Sequence, residues 1–197
     1  MTTLSPLLKA LANLTATEAR PEAQATAAAL RAAVDTDLPA QPPSALSSGI
    51  LHTASLPGAH PAARLVHQAQ PRLPWQDSPA ASLQPTALRA IKSIVTLLGP
   101  GAPIPSDSLL FGLFYQAPGS YYPLHAHEAA ETYTLLSGSA RWQAGDRRFL
   151  LSPGEAVHHP PNLPHAMRAG PDGFLAIWRW SGDISFDSYR MLPDPEA

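Results

Sequence analysis

The chain contains no cysteine among its 197 residues. Disulfides, thiolate metal sites and a cysteine nucleophile are therefore excluded. Charged residues are scarce, at 14% of the chain, and the formal net charge is only −2 at pH 7. This balance provides no basic surface for nucleic acid or for an anionic membrane.

Long hydrophobic runs are also absent from the sequence. No uncharged apolar run approaches the roughly 18 residues that a membrane-spanning helix needs. The N-terminus lacks the basic segment and following apolar segment that are typical of a signal peptide. We therefore expect a soluble, cytoplasmic protein without a nucleic-acid or membrane partner, existing as a monomer or a homodimer.

Proline is abundant, with 23 residues, and the sequence divides into two halves of different periodicity. The first half, residues 1–105, is predicted to be an α-helical extension whose helices are joined by proline-rich connections. In residues 106–197, short aliphatic and aromatic runs are separated by Gly or Pro at the spacing of strands in an all-β barrel or sandwich. We therefore predict a mostly β fold, with a single small barrel in residues 106–197 capped by the helical segment 1–105.

Three helices are predicted in the first half. Ser5 and Pro6 suit the start of the first helix, and an alanine-rich segment predicts a second helix over residues 22–34. The third helix is predicted over residues 85–98 from a stripe of apolar residues at helical spacing. The stripe consists of Leu88, Ile91, Val95 and Leu98.

The segment GSYYPLHAHEAAETYTLLSG concentrates potential metal ligands. Alternate residues of a strand face the same side, so His125 and His127 project together, as do Glu131 and Tyr133. Two neutral imidazoles and one carboxylate suit a first-row divalent ion such as Zn²⁺, Fe²⁺ or Mn²⁺. Burying these groups together is costly unless a cation compensates them. We therefore predict one divalent transition metal, whose identity the ligand types do not fix.

A fourth ligand is expected from another strand, and His158, His159 and His165 are the candidates. Because His158 and His159 are adjacent, at most one of them can face the barrel interior. His165 follows a proline-rich segment that suits a tight entry into the next strand. These residues by themselves leave His159 and His165 as alternatives.

The spacing of the ligands matches the first signature of the cupin superfamily at every fixed position. Those positions are Gly119, His125, His127, Glu131 and Gly138. The chain therefore resembles the cupins, which implies a double-stranded β-helix, or jelly-roll, barrel. The second cupin signature is matched loosely, but PNLPH resembles a variant form of it and implies His165 as the fourth ligand.

Tyrosines stand close to the predicted ligands. Tyr133 lies two residues beyond Glu131 on the same strand face, so its hydroxyl is expected to reach the ion or a bound substrate. A nearby divalent cation favours the phenolate form, which is a usable general base. This combination suits proton abstraction beside a carboxylate, followed by elimination of a β-leaving group. Further aromatic residues are expected to line the pocket: Tyr122, Tyr121, Phe111, Tyr115, Trp178 and Trp180.

The run from Tyr122 to Tyr133, together with the helical extension and the C-terminal barrel, resembles the cupin dimethylsulfoniopropionate lyases of the DddQ type. The resemblance implies a carbon–sulfur lyase that cleaves this small-molecule substrate to dimethyl sulfide and acrylate. It also implies Tyr133 as the base, Tyr122 as a residue that helps to hold the substrate, and Trp178 as a wall facing the sulfonium. The four implied metal ligands are His125, His127, Glu131 and His165.

An Fe(II)-dependent cupin dioxygenase acting on a small organic substrate is the alternative, because the same ligand set permits it. A lyase for a different β-substituted carboxylate is a third possibility, since selectivity depends on pocket shape. A regulatory cupin is disfavoured, because the sequence shows neither a helix-turn-helix unit nor a basic surface.

Overall fold

The computed structural model describes residues 4–196. Its helices are α1 (Ser5–Thr15), α2 (Pro21–Ala32), α3 (Ser47–Ala54) and α4 (Pro61–Ala69). Short 3₁₀ helices follow at Gln70–Arg72, Pro79–Leu83 and Thr86–Ala90. The strands are β1 (Lys92–Gly99), β2 (Ile104–Pro105), β3 (Leu109–Gln116), β4 (Tyr121–Ala126), β5 (Ala130–Ala144), β6 (Arg147–Leu151), β7 (Ala156–His159), β8 (His165–Ser181) and β9 (Arg190–Met191). None of the helices within residues 4–196 combines the length and apolarity that crossing a bilayer requires.

Two long strands, β5 and β8, organise the sheet. They pair antiparallel along their whole length, from Ala130 opposite Ser181 to Ala144 opposite His165. One half of β8 also pairs with β3 and the other half with β4, whereas β6 and β7 pair with the two halves of β5. The long strands therefore bend in the middle, and the sheet folds over itself into a barrel.

Two glycines occupy the bend, where the register of β5 against β8 shifts. Gly138 and Gly173 have φ angles of 75° and 74°, a region that favours glycine. A Cβ on Gly138 would lie 2.0 Å from the Gly173 carbonyl oxygen, so the two backbones approach too closely for a side chain. The glycine that ends the first cupin signature is thus required by the fold.

The predicted third helix is wrong. Residues 86–90 form a 3₁₀ helix, and the apolar run that follows is the strand β1, which pairs antiparallel with β3. Both faces of β1 are buried, so its apolar residues do not alternate with polar ones, and their helical spacing arose by coincidence. The first strand of the sheet therefore starts at Lys92, and the domain boundary at residue 105 stays a prediction.

The other predicted elements of the second half are largely confirmed. The short apolar runs of the sequence coincide with β3, β5, β6, β7 and β8, with two runs each in the long strands β5 and β8. One further run of the second half, ISFDSYRML at residues 184–192, forms a strand only at β9, and most of that segment has neither helical nor strand hydrogen bonding. The mostly β fold with an N-terminal helical extension is thus confirmed.

The helices cover the outer face of the sheet. Leu7 and Leu11 of α1 and Val66 of α4 belong to one buried hydrophobic cluster with Leu113 of β3 and Leu175 of β8. A second cluster fills the barrel interior and contains the predicted catalytic tyrosines. The cavity inside the barrel is lined by Pro79 of the N-terminal segment and by Phe186 near the C-terminus, and not by α1, α2 or α4. The capping role of residues 1–105 stays a prediction.

Candidate metal centre and active-site cavity

The predicted metal ligands come together inside the barrel. Ligand atoms of His127, Glu131 and His165, all buried, lie within 4.8 Å of one another. The Nε2 atoms of His127 and His165 are 3.3 and 3.1 Å from Glu131 Oε2. His125 of β4 is paired with His165 of β8, and the centroids of their rings are 4.1 Å apart. Neighbouring strands thus bring His127, Glu131 and His165 to one point, and His125 lies beside His165 without belonging to that group of three ligand atoms.

The backbone fixes the tautomer of the histidines. In each of three histidines Nδ1 lies at hydrogen-bond distance from a main-chain carbonyl oxygen: His125 from Pro123 (2.8 Å), His127 from Ala129 (3.1 Å) and His165 from Leu163 (2.8 Å). A carbonyl oxygen can only accept a hydrogen bond, so Nδ1 carries the ring proton and acts as the hydrogen-bond donor. The lone pair of Nε2 is therefore free, the arrangement usual for a metal-ligating imidazole.

Two acceptor atoms that face each other, His165 Nε2 and Glu131 Oε2, indicate that a cation fits the site. His165 Nε2 is buried and has no hydrogen-bond partner among residues 4–196. It stands 3.1 Å from Glu131 Oε2, and neither atom carries a proton in the tautomers described. Two buried acceptors at this separation repel each other unless a positive charge lies between them. The donor set of three imidazoles and one carboxylate suits a divalent transition metal.

His159 has a different environment from His165. The Trp142 indole Nε1 donates to His159 Nε2 at 2.9 Å. His159 Nδ1 consequently carries its own proton, which points to Glu131 Oε2 at 3.3 Å. Both ring nitrogens are therefore occupied, and the geometry favours His165 as the fourth ligand. His158 faces outward, with Nδ1 at 3.0 Å from the Thr132 hydroxyl.

Glu131 is fixed from two sides. Trp180 Nε1 donates to Oε1 at 2.6 Å, while the histidines surround Oε2. Burial raises the pKa of Glu131, but the surrounding imidazoles, with His159 Nδ1–H as a hydrogen-bond donor to Oε2, outweigh burial and hold the pKa well below its ordinary value. Burial and the neighbouring His165 lower the pKa of His125 well below its ordinary value. An ionised carboxylate beside neutral imidazoles is the protonation state that metal binding needs.

A narrow cavity lies against this cluster. Tyr133, Tyr122 and Trp178 line it together with His125, His127 and Glu131, as the sequence predicts. The other lining residues come from β1, β3, β8 and the two segments at the barrel mouth: Ser78, Pro79, Ala80, Lys92, Ile94, Phe114, Trp180, Phe186 and Tyr189. The walls are thus largely aromatic, and the floor carries the candidate metal ligands.

Tyr133 faces the barrel interior from β5. Its ring packs edge-on against Phe114, with centroids 5.4 Å apart, and against Trp142 at 5.0 Å. Burial raises the pKa of Tyr133 well above its ordinary value, and the negative charge of Glu131 raises it further. A compensating positive charge at the cluster would oppose the effect of Glu131.

Tyr122 belongs to a hydrogen-bonded group that the sequence did not predict. Its hydroxyl accepts a hydrogen bond from Gln84 Nε2 at 2.8 Å and lies 2.8 Å from the Tyr189 hydroxyl. The ring stacks on His125, with centroids 4.1 Å apart. Gln84 precedes the 3₁₀ helix at Thr86–Ala90, and Tyr189 lies outside any helix or strand, so no periodicity could place either of them.

Three residues expected in the pocket lie outside it. Tyr121 is adjacent to Tyr122 on β4 and therefore faces the other side, where its hydroxyl donates to Asp194 Oδ2 at 2.7 Å. Phe111 and Tyr115 belong to the outer hydrophobic cluster beneath the helices. The prediction of a pocket role is wrong for these three residues, because alternation along a strand separates them from the interior.

Lys92 is a cavity residue that the sequence does not predict, because the helical spacing of its apolar neighbours predicts a helix there. The residue is only 3% exposed and lines the cavity from β1. A single lysine inside the apolar run KSIVTLLG is the sequence signal that could have identified it.

Comparison with known proteins agrees with this site. A family model described as dimethylsulfoniopropionate lyase matches residues 44–176. Over 101 residues the chain is 39% identical to the dimethylsulfoniopropionate lyase DddQ of Ruegeria pomeroyi, covering 51% of this chain and 50% of that protein. The chain spans about half the length of the curated relatives it matches.

Two solved structures resemble almost the whole chain. The crystal structure of DMSP lyase DddQ from Ruegeria pomeroyi DSS-3 superposes with a TM-score of 0.63 and 29% identity, over 91% of this chain and 93% of that one. A structure from work on the DMSP lyases RdDddP and RnDddQII gives a TM-score of 0.66 and 26% identity, over 96% and 100% of the two chains. These matches confirm the predicted cupin barrel with its N-terminal helical extension. Because the family model covers more than half of its residues, the chain belongs to the dimethylsulfoniopropionate lyase family.

Proposed function

We propose that this chain is a carbon–sulfur lyase that cleaves dimethylsulfoniopropionate to dimethyl sulfide, acrylate and a proton by β-elimination. Membership of the family supports the substrate. The observation that carries the mechanism is the placement of Tyr133 on the same buried cavity as Glu131, His125 and His127.

A divalent transition metal is part of this proposal, with iron, zinc and manganese as the candidates. His125, His127, Glu131 and His165 would hold it, because their facing acceptor atoms need a positive charge between them. When bound, such an ion supplies positive charge that favours the phenolate of a neighbouring tyrosine and stabilises developing negative charge on the substrate.

Tyr133 is the proposed general base. Its phenolate oxygen takes the proton from the carbon next to the substrate carboxylate, and the electron pair of that C–H bond forms the new C=C bond. The C–S bond breaks as its electron pair moves to sulfur, so that neutral dimethyl sulfide and acrylate are released. The transferred proton leaves Tyr133 for solvent before the next turnover.

The aromatic walls suit the cationic end of the substrate. Trp178, Trp180 and Phe186 line the cavity, and Trp178 and Trp180 meet edge to face with centroids 6.1 Å apart. Aromatic faces attract a sulfonium through cation–π interaction, but they attract the neutral sulfide much less. The wall therefore binds the substrate more strongly than the leaving product, which helps release.

The direct test is detection of dimethyl sulfide in the headspace above metal-loaded protein after addition of the sulfonium substrate. Acrylate should form in equal amount, and a chelated sample should lose the activity and regain it on addition of Fe²⁺, Zn²⁺ or Mn²⁺. The same assay under anaerobic conditions separates the lyase from a dioxygenase, since β-elimination consumes no O₂. Failure to form dimethyl sulfide with any of these ions would contradict the proposal.

A further inference from the structure

Lys92 places an ammonium group in a cavity wall that is otherwise largely aromatic. It lies on β1, where the residue is 3% exposed and lines the same cavity as Tyr122, Tyr133 and Glu131. The sequence contains one other lysine, Lys9, which is exposed on α1. A lysine at an interior barrel position is unusual, because burying an ammonium is costly unless an anion compensates it.

The protein itself offers Lys92 little compensation. Within residues 4–196 it forms no salt bridge, and its Nζ lies over the face of the Tyr122 ring at 4.7 Å from the centroid. Asp77 is near enough to raise its pKa, but the Asp77 carboxylate is already paired with Arg89 at 3.6 Å. Burial outweighs Asp77 and lowers the pKa of Lys92 to about 8. The ammonium thus lacks a full partner while it faces a cavity.

Tyr122 connects this lysine to the candidate metal cluster. Its ring contacts the Lys92 ammonium and also stacks on His125, with ring centroids 4.1 Å apart. A small ligand in the cavity can therefore contact Lys92 and still present an atom to Tyr133, which lines the same cavity. The cavity has the Lys92 ammonium on β1 and the rings of Trp178 and Trp180 on β8. An ammonium attracts an anionic group and aromatic rings attract a cationic group, so the cavity is complementary to a zwitterion.

We propose that Lys92 is a substrate-binding residue whose ammonium pairs with the carboxylate of the substrate. This inference rests on the proposed lyase function and deepens it, because it names the group that recognises the anionic end. The carboxylate lies against Lys92, the sulfonium lies against the tryptophans, and the carbon that loses its proton lies between them. The pocket accordingly selects short carboxylates that carry a cationic group on the β-carbon.

Binding of two half-substrates tests the proposal without turnover. Propionate carries the carboxylate alone, and trimethylsulfonium carries the sulfonium alone; both are titrated into the metal-loaded protein by calorimetry and as inhibitors. In Lys92→Met, propionate affinity is expected to fall by about 10- to 100-fold, the usual effect of losing a charge-assisted hydrogen bond. Trimethylsulfonium affinity is expected to stay within about twofold or to rise, since a nearby like charge is gone.

Kinetics provides the second measurement. The KM for dimethylsulfoniopropionate should rise in Lys92→Met by about the same factor as the propionate constant, and Lys92→Arg should recover part of the loss because it keeps the positive charge. Lys9→Met is the matched control and should behave as wild type. If Lys92→Met binds propionate and substrate as wild type does, the proposal is wrong.

A structural role for the lysine predicts a different result. If Lys92 stabilised the fold, Lys92→Met would lower the Tm of the ligand-free protein. Because the ammonium is buried without a full partner, we expect the Tm to stay unchanged or rise, as for other buried charges replaced by apolar groups of similar size. A lower Tm together with unchanged propionate affinity would contradict the proposal.

Amine labelling gives a readout in the wild-type protein. With two lysines in the sequence, mass spectrometry after acetylation separates labelling of Lys92 from labelling of Lys9. Propionate should slow the labelling of Lys92 and leave that of Lys9 unchanged, whereas equal rates with and without propionate would contradict the proposal. The two proposals remain distinguishable: absence of dimethyl sulfide refutes the lyase function, and Lys92-independent propionate binding refutes the role of the lysine.

Discussion

At the scale of single residues, the partner of each ring nitrogen decides what a histidine can do. In three histidines the Nδ1–H group donates a hydrogen bond to a main-chain carbonyl oxygen, which leaves the lone pair of Nε2 available for a cation. These are His125, His127 and His165. His159 has both nitrogens engaged, by Trp142 and by Glu131. The first three imidazoles are therefore available as ligands, whereas His159 is placed to support the Glu131 carboxylate.

This difference leads to a prediction for paired alanine variants. His165→Ala should lose bound metal and activity together, because it removes a ligand. His159→Ala should keep metal at saturating concentration but bind it about 10- to 100-fold more weakly, the usual loss when a supporting hydrogen bond to a ligand is removed. Metal titration followed by elemental analysis measures the metal affinity and the metal content of both variants. If His159→Ala lost the metal and His165→Ala only bound it more weakly, His159 would be the ligand.

Tyr133→Phe tests the general base. The variant keeps the ring that packs against Phe114 and Trp142 and loses only the hydroxyl, so the metal content should be that of wild type. Turnover should fall by about 10²- to 10⁴-fold, the typical contribution of a general base. Tyr121→Phe is a matched control, because that hydroxyl bonds Asp194 away from the cavity. Full activity in Tyr133→Phe would exclude this residue as the base.

At the scale of elements, the fold depends on two strands that can bend. A methyl group on Gly138 would meet the Gly173 carbonyl carbon at 2.9 Å as well as its oxygen, whereas a methyl group on Gly119 meets nothing within 4 Å. Gly119 has a φ of 65°, so the two motif glycines share the left-handed backbone and differ in crowding.

Alanine substitutions at Gly119 and Gly138 distinguish the cost of a left-handed backbone from the cost of a steric clash of the added Cβ. Gly119→Ala should lower the free energy of unfolding by about 1–2 kcal/mol, from the left-handed conformation alone. Gly138→Ala should cost at least about 3 kcal/mol, because the backbones of β5 and β8 must also move apart. Urea denaturation measures both, and equal losses would show that the bend tolerates a side chain.

A buried ion pair attaches the α1–α2 connection to the outer face of β8. Arg179, 4% exposed in its side chain, donates two hydrogen bonds to Glu18 at 2.8 and 2.9 Å and one to Thr132 at 2.9 Å. Burial raises the pKa of Glu18, but the bonds from Arg179 and Arg20 outweigh it and lower the pKa. A depressed carboxyl pKa contributes stability above the unfolded pKa, and this stability is lost as the pH falls through the folded pKa.

Glu18→Gln should therefore be less stable than wild type at pH 7 and similar to it in acid. We expect a loss of about 1–2 kcal/mol at pH 7, reduced from that of a fully buried pair because Glu18 is partly exposed. Below an unfolded pKa of about 4.3 the difference should shrink, since the wild-type carboxyl also becomes neutral. Denaturation curves at pH 7 and pH 3 test this, and a constant difference would exclude an ionic contribution.

The sequence predicts most strands of the second half but mistakes β1 for a helix, although β3, which is also buried along its whole length, is predicted correctly. Gly and Pro separate the strands β5 to β8 at regular intervals, and the ligand spacing brings His127 and Glu131 into one buried group with His165, while the ligand set stays a prediction. The strand β1 is buried on both faces, so the spacing of its apolar residues does not distinguish a strand from a helix. The predicted helix therefore did not place Lys92 in the cavity. His159 and Trp142 could not be assigned as partners, because their contact depends on the pairing of distant segments.

At the scale of the whole molecule, the protein has two hydrophobic clusters on opposite faces of one sheet. The inner cluster surrounds the cavity, and the outer cluster joins α1, α3 and α4 to β1, β3 and β8. The helices therefore bury the outer face of the sheet, and a deletion would expose it to water. This arrangement changes what removal of the N-terminal segment should do.

Deletion of residues 1–37, which include α1 and α2, should impair folding before it impairs chemistry. Leu7, Leu8 and Leu11 are each at most 1% exposed, and burying one leucine side chain contributes about 1.5–3 kcal/mol. Their loss approaches the total of about 5–15 kcal/mol that stabilises a typical domain. We expect the truncated protein to aggregate or to have a much lower Tm, and Leu11→Ala alone to cost about 2–5 kcal/mol. A truncated protein with wild-type Tm and reduced turnover would instead support a cap over the barrel mouth.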